Sequence, residues 1–267
     1  MEMQKKISFP LIFNQTTNFI RNRLWQLAIV SVVLSLITTL AHNNLFDKQV
    51  LIQLVETANK KEIIFYLLKL FMIFGFLSLI MKAIVLAVIY NLSTSDRFNI
   101  NLILGRILPN LLNIIAFNVV YLTISIVVLI FAILIFIVLN FIFPQNLVAF
   151  LFISISLIYL VVLTAIYYYF LGSIIQPTVK PFFQKFAESH TYALSYWRLT
   201  LPMVLIYYLI AIVIEPVLNS AGENNITLLL IVCITLLFVD IFTMSFFYRI
   251  SILSKNHETI SNTHDIR

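Results

Sequence analysis

Long apolar runs alternate with short polar connections along most of the chain. Six runs stand out, over about residues 24–40, 63–90, 108–140, 147–175, 201–218 and 226–253. An α-helix rises about 1.5 Å per residue, so about 20 apolar residues cross a hydrocarbon layer of about 30 Å. The pattern predicts an all-α fold, a polytopic transmembrane helix bundle of about six spans. The third run is longer than one crossing needs, so it is expected to tilt or to extend into the interface. Phe143-Pro144-Gln145-Asn146 marks a tight turn after it, and Gly222 sits in the turn before the sixth run. Residues 1–253 read as a single integral membrane domain and residues 254–267 as a polar, disordered tail. A signal peptide has an apolar region of only about 7–15 residues. The first run is longer and ends Thr38-Thr39-Leu40-Ala41-His42, a poor cleavage sequence, so it reads as an uncleaved anchor.

Between the fourth and fifth runs the period changes. At 100° per residue, Phe182, Phe183, Phe186, Ala187, Ala193, Leu194 and Trp197 fall in one arc. Gln184, Lys185, Glu188, Ser189, Thr191, Tyr192, Ser195 and Tyr196 fall opposite, and only His190 intrudes on the apolar arc. Pro177 and Pro181 precede the segment and suit a helix start. Such a helix lies in the membrane interface or packs on the ends of the spans, and the two readings are compatible. The N-terminal segment is similar: Phe9, Ile12, Phe13, Ile20 and Leu24 share a face and lead straight into the first run. Arg23-Leu24, Arg106-Ile107 and Arg198-Leu199 each open a run, which suggests three helical hairpins, each entered through an amphipathic lead-in.

Composition supports the membrane assignment. The chain is 61% hydrophobic and 10% charged, against about 25% charged in a soluble domain. Abundant Ile, Leu, Phe and Asn look like the product of an AT-rich coding sequence. The net charge of +6 comes from 17 Lys and Arg. With six spans, twelve of these fall on one side, with Arg21, Arg23, Arg106, Arg198 and Arg249 as topology anchors, and only Lys48, Lys60 and Lys61 on the other. The positive-inside rule then places both termini in the cytoplasm. Trp25, Tyr90, Trp197 and Tyr248 fall near the same edge, where amphipathic rings prefer the headgroup level. These basic residues suit lipid headgroups; no exposed basic face is left to follow nucleic-acid phosphates. The single cysteine, Cys233, is expected to pack as a small hydrophobe.

Ionisable groups inside lipid are functional candidates, because each costs about 2.5–3.5 kcal/mol at the centre of a span. Lys82 lies eight residues before Tyr90 and Asp240 nine before Arg249, so their depths match. They form a candidate intramembrane ion pair. The alternative is a Lys82 that snorkels to the headgroups and an Asp240 that bonds a hydroxyl such as that of Thr243. Asn113 and Asn118 could link helices by hydrogen bonds. No P-loop, Rossmann glycine pattern, His-Glu-x-x-His or Gly-x-Ser-x-Gly is present. His257, Glu258, His264 and Asp265 lie in the polar tail and read as solvated rather than metal-binding. No catalytic, cofactor or metal site is therefore expected.

Ile7-Ser8, followed by Thr17-Asn18-Phe19-Ile20-Arg21-Asn22-Arg23-Leu24, resembles the start of the YciC type of bacterial inner-membrane protein. The likeness is clearest over the first 40 residues and extends to the entry from Arg198-Leu199 to Pro202. The remaining spans match mainly in number and order, and Lys69, Lys82, Pro177 and Pro181 depart from the pattern. The resemblance implies a multi-pass inner-membrane protein and brings no functional residues with it. The expected role is non-enzymatic support of envelope organisation, in contact with membrane lipids and a membrane-protein partner. The alternatives are a small carrier for a lipid or solute, or a membrane subunit of a transport complex.

Overall fold

A computed structural model of the chain describes residues 7–45, 50, 52, 53 and 60–264, with 218–224 and 255–264 described in their backbone only. Among the described residues there are eight helices: α1 (Phe9–Asn22), α2 (Leu24–Leu45), α3 (Lys60–Thr94), α4 (Ile100–Ile142), α5 (Gln145–Ile175), α6 (Phe182–Ser195), α7 (Trp197–Asn224) and α8 (Ile226–His264). Six of them, α2, α3, α4, α5, α7 and α8, are long and apolar enough to cross a membrane. The protein is thus a multi-pass, all-helical membrane protein. Two further helices, α1 and α6, are each 14 residues long. Each is separated from the span that follows by one residue, Arg23 in the first case and Tyr196 in the second.

Proline and its neighbours set several boundaries. Pro144, in an extended conformation, stands immediately before α5. That helix ends at Gln176, whose backbone is extended (φ −77°, ψ 137°) because Pro177 follows it. Pro181, also extended, precedes α6. Pro109 and Pro202 behave differently and lie inside α4 and α7. Consequently Arg106 does not open a span: residues 100–109 are continuous with α4, and only two of the three expected lead-ins are separate helices. At 43 residues, α4 measures about 64 Å at 1.5 Å per residue. With no Gly or Pro after Gly222 to stop it, α8 continues through Ser254 to His264. Side chains of His257, Glu258, His264 and Asp265 lie outside the described residues.

Packing divides the chain into two compact units. The first comprises the described residues of Met1–Gln15, Leu112–Tyr207 and Thr243–Arg267. The second comprises those of Thr16–Leu111 and Tyr208–Phe242. In the second unit α2 turns a stripe of small hydroxyl residues inward, with Ser31, Ser35 and Thr39 all buried at four-residue spacing. Small residues at that spacing let helices approach closely in lipid, where apolar area alone gives helices no reason to associate. Thr38 Oγ1 lies 3.3 Å from Met81 Sδ on α3, and Asn110 Nδ2 of α4 donates to the Ala83 carbonyl of α3 at 3.5 Å. Asn118 and Asn140 do not link helices; their amides donate at 2.8 Å to Ile114 and Phe136 of their own helix.

In the first unit α5 and α8 approach each other closely at Gly172. A Cβ on Gly172 would lie 2.6 Å from the Phe247 carbonyl carbon, 2.7 Å from its oxygen and 2.7 Å from the Tyr248 nitrogen. All three are backbone atoms, so no side chain can swing aside. Hydroxyls bracket the contact. Ser251 Oγ donates to the Tyr248 carbonyl at 2.8 Å and reaches the Gly172 carbonyl at 3.3 Å. Ser254 Oγ donates to the Ser251 carbonyl at 3.0 Å, which leaves it to accept the Tyr169 O–H at 2.8 Å. Gly172→Ala should therefore lower stability by about 1–3 kcal/mol through overpacking. Gly75→Ala and Gly105→Ala, where a Cβ meets nothing within 4 Å, should leave it unchanged or raise it slightly. Thermal unfolding of the detergent-solubilised variants measures the difference, and equal midpoints for all three would show that the α5–α8 contact does not limit stability.

Candidate functional site

The chemistry-bearing side chains of the first unit gather around α6. Phe182 and Phe186 on its inner side join Phe117 of α4 and Phe170 of α5. Phe117 is the hub: its ring lies 4.5 Å from Tyr121, 4.5 Å from Phe170 and 5.5 Å from Phe186, centre to centre. It is 2% exposed, and Phe170 is fully buried. Aromatic pairs at such separations add about 0.5–1.5 kcal/mol each beyond burial.

His190, the one polar intruder on the apolar arc, completes this cluster. Its Nδ1 lies 2.8 Å from the Phe186 carbonyl, one turn earlier. A carbonyl only accepts, so Nδ1 carries the proton and Nε2 is the acceptor. Tyr121 supplies the donor, with its hydroxyl 2.5 Å from Nε2. The His190 ring also lies 4.5 Å from that of Phe186, tilted by 53°. Position on the wheel is therefore compatible with packing, because one tyrosine on α4 satisfies the only polar atom that packing would strand.

The predicted interfacial residues divide between two surroundings. Phe182 and Phe186 pack on the protein, and Ser189 and Ala193 are buried beside them. Phe183, Leu194 and Trp197 remain 72%, 52% and 54% exposed by protein alone. Trp197 is the first residue of α7 rather than part of α6. One half of the arc thus docks α6 and the other half is left uncovered by protein. On the polar side Lys180 Nζ donates to Glu188 Oε1 at 2.6 Å and Gln184 to the same oxygen at 3.1 Å.

Each topology anchor but one has a described contact. Arg23 stands in the break between α1 and α2. It forms an ion pair with Asp96, and its Nε donates to the Leu92 carbonyl at 3.4 Å. Leu92 belongs to the last turn of α3, where a cation complements the helix dipole. Arg106 lies over the Tyr90 ring at 5.1 Å and Arg198 over the Trp197 ring at 5.6 Å. Arg249 donates to the Ser245 carbonyl at 2.7 Å. Arg21 is exposed. Lys82 and Asp240 both belong to the second unit, are both half-buried, and are both engaged by neighbouring groups.

The sequence signals missed Tyr121 and Gly172. Nothing in a single span distinguishes a tyrosine facing a histidine 69 residues away. Gly172 is one of four glycines, and its rarity was the available clue. Compared with family models, with curated proteins and with solved structures, the chain matches none of them.

Two predictions follow from these contacts. Tyr121→Phe leaves the His190 acceptor unpaired and should loosen α6 by about 1–3 kcal/mol. Tyr121→Phe combined with His190→Phe replaces both partners with apolar groups and should recover most of that loss. Hydrogen exchange at the α6 amides reports both, and a double variant no better than the single one refutes the pairing. For Lys82 and Asp240, a facing pair predicts that Lys82→Asp or Asp240→Lys alone destabilises by about 3–5 kcal/mol while the exchanged double variant is tolerated. Equal unfolding midpoints for all three variants would show that the two do not meet.

Proposed function

We propose that the protein is a non-enzymatic multi-pass protein of the cytoplasmic (inner) membrane, with both termini in the cytoplasm, that supports envelope organisation or integrity. The observation that carries this reading is the pair of amphipathic helices, each one residue from a span. The second of them is locked to α4 and α5 by aromatic rings and the Tyr121–His190 hydrogen bond. Such an element holds an apolar, lipid-facing strip at fixed depth at the membrane surface. The excess of Lys and Arg beside α1, α6 and the end of α8 supports the cytoplasmic orientation. The resemblance of the first 40 residues to YciC-type proteins supports the inner membrane as its location. Function then resides in packing against lipid and against a membrane-protein partner, with no bond made or broken.

A second reading, a small carrier for a lipid or solute, is supported by Lys82 and Asp240, two half-buried ionisable residues within the spans of one unit. Replacing the native copy by the Phe117→Ala variant separates the two. Removal of a buried Phe of this kind costs about 3–5 kcal/mol locally and frees α6 without touching Lys82 or Asp240. The envelope reading predicts increased uptake of an impermeant dye and sensitivity to detergent at unchanged protein level. Parental dye uptake in both this variant and a null strain overturns it. The carrier reading predicts instead that Lys82→Met, correctly inserted, abolishes a flux that Phe117→Ala retains.

A further inference from the structure

An apolar groove of about 540 Å³ opens within the first unit beside the break between α6 and α7. It is lined by Leu157, Val161 and Ala165 of α5, Leu201 and Leu205 of α7, and Leu194 of α6. From Ala165 to Leu157 the wall runs eight residues, about 12 Å along a helix. The one hydroxyl on the lining, that of Thr200, is already committed to the Ala193 carbonyl at 3.0 Å. Apart from the Trp197 indole N–H, the rest of the lining is hydrocarbon, and an apolar wall of that length suits a hydrocarbon chain.

The mouth of the groove differs from its walls. Trp197 lines it, and the Arg198 guanidinium lies over the Trp197 ring at 5.6 Å. Arg198 is exposed, and no acidic side chain is described beside it. Arg198 thus brings a guanidinium, whose planar fork of N–H donors matches a phosphate, beside the indole that lines the groove. The groove is therefore apolar for about the length of half an acyl chain and cationic at one end. That polarity is the polarity of a phospholipid. An indole at the junction marks the headgroup level, where tryptophan is enriched.

We propose that this groove is a binding site for one anionic phospholipid, with an acyl chain between α5 and α7 and its headgroup phosphate on Arg198. The proposal rests on the reading that α6 lies at the membrane surface, and gives that surface a specific ligand. Free phosphate does not suffice, because the groove contributes only through the chain. A zwitterionic phospholipid enters the same groove but gains less from Arg198, since its own cation offsets the phosphate.

The chain has two tryptophans, and Trp25 is 81% exposed. Trp25→Phe leaves Trp197 as the sole reporter at the groove mouth. The full-length protein is reconstituted in phosphatidylcholine bilayers with a fixed fraction of either phosphatidylglycerol or phosphatidylcholine brominated near the carboxyl end of its chain. Bromine quenches tryptophan on contact. The expected result is an apparent affinity for the brominated anionic lipid about fivefold above that for the zwitterionic one, the preference one basic residue supplies at an anionic surface. Arg198→Gln should abolish the preference, and Arg21→Gln should leave it intact. Val161→Phe, which fills the groove without removing charge, should abolish it as well. Equal quenching by the two lipids in the parent overturns the proposal while leaving α6 at the interface. A preference that survives Val161→Phe also overturns it, because the lipid then binds outside the groove. If neither lipid quenches Trp197, the interfacial placement of α6 fails and the proposal fails with it.

Discussion

Gly172 sits where α5 and α8 come together backbone to backbone, and the arrangement of the first unit depends on that approach. In water, burial of apolar area would drive the two helices together. In lipid that driving force is missing, since acyl chains are as apolar as leucine. What remains is close packing and the satisfaction of polar groups. The absence of a Cβ at Gly172 permits the first, and the Ser251, Ser254 and Tyr169 hydroxyls supply the second. Tyr169 and Phe170 on the neighbouring turn of α5 then face α6, where Tyr169 stacks on Tyr192 at 5.9 Å. A displacement of α5 would move the surface on which α6 rests.

The same scarcity of driving force explains how α6 is held. An amphipathic helix at a bilayer surface can bury its apolar face in lipid, so docking on protein must offer something lipid does not. Rings at fixed separations and a directed hydrogen bond do this, because acyl chains provide neither. Phe117 makes ring contacts with two other helices at once, and Tyr121 one turn later makes the hydrogen bond. On the outer half of the arc Phe183 meets a ring of its own helix, Phe182 at 5.3 Å, and both Phe183 and Leu194 stay largely uncovered by protein.

Length and hydropathy made the spans legible in the sequence, because a 20-residue apolar run has few alternatives. The two amphipathic helices were legible for a related reason: a 100° period survives without any knowledge of partners. The relations between helices were not legible. His190 breaks the apolar arc when the helix is read alone, and fits once Tyr121 faces it. Gly172 lies in an ordinary apolar run, and only the neighbouring backbone shows why it is glycine. Arg106 and Pro109 look like the start of a span by analogy with Arg23 and Arg198. Yet a proline in a long helix can kink it without ending it, and α4 continues past Pro109 as one helix.

The one-residue breaks at Arg23 and Tyr196 have a mechanical consequence. A single residue contributes two soft torsions, too few to let α1 or α6 rise or sink while its span stays still. Two torsions leave each pair coupled at its joint, so a displacement of α1 or α6 is passed on to α2 or α7 rather than absorbed between them.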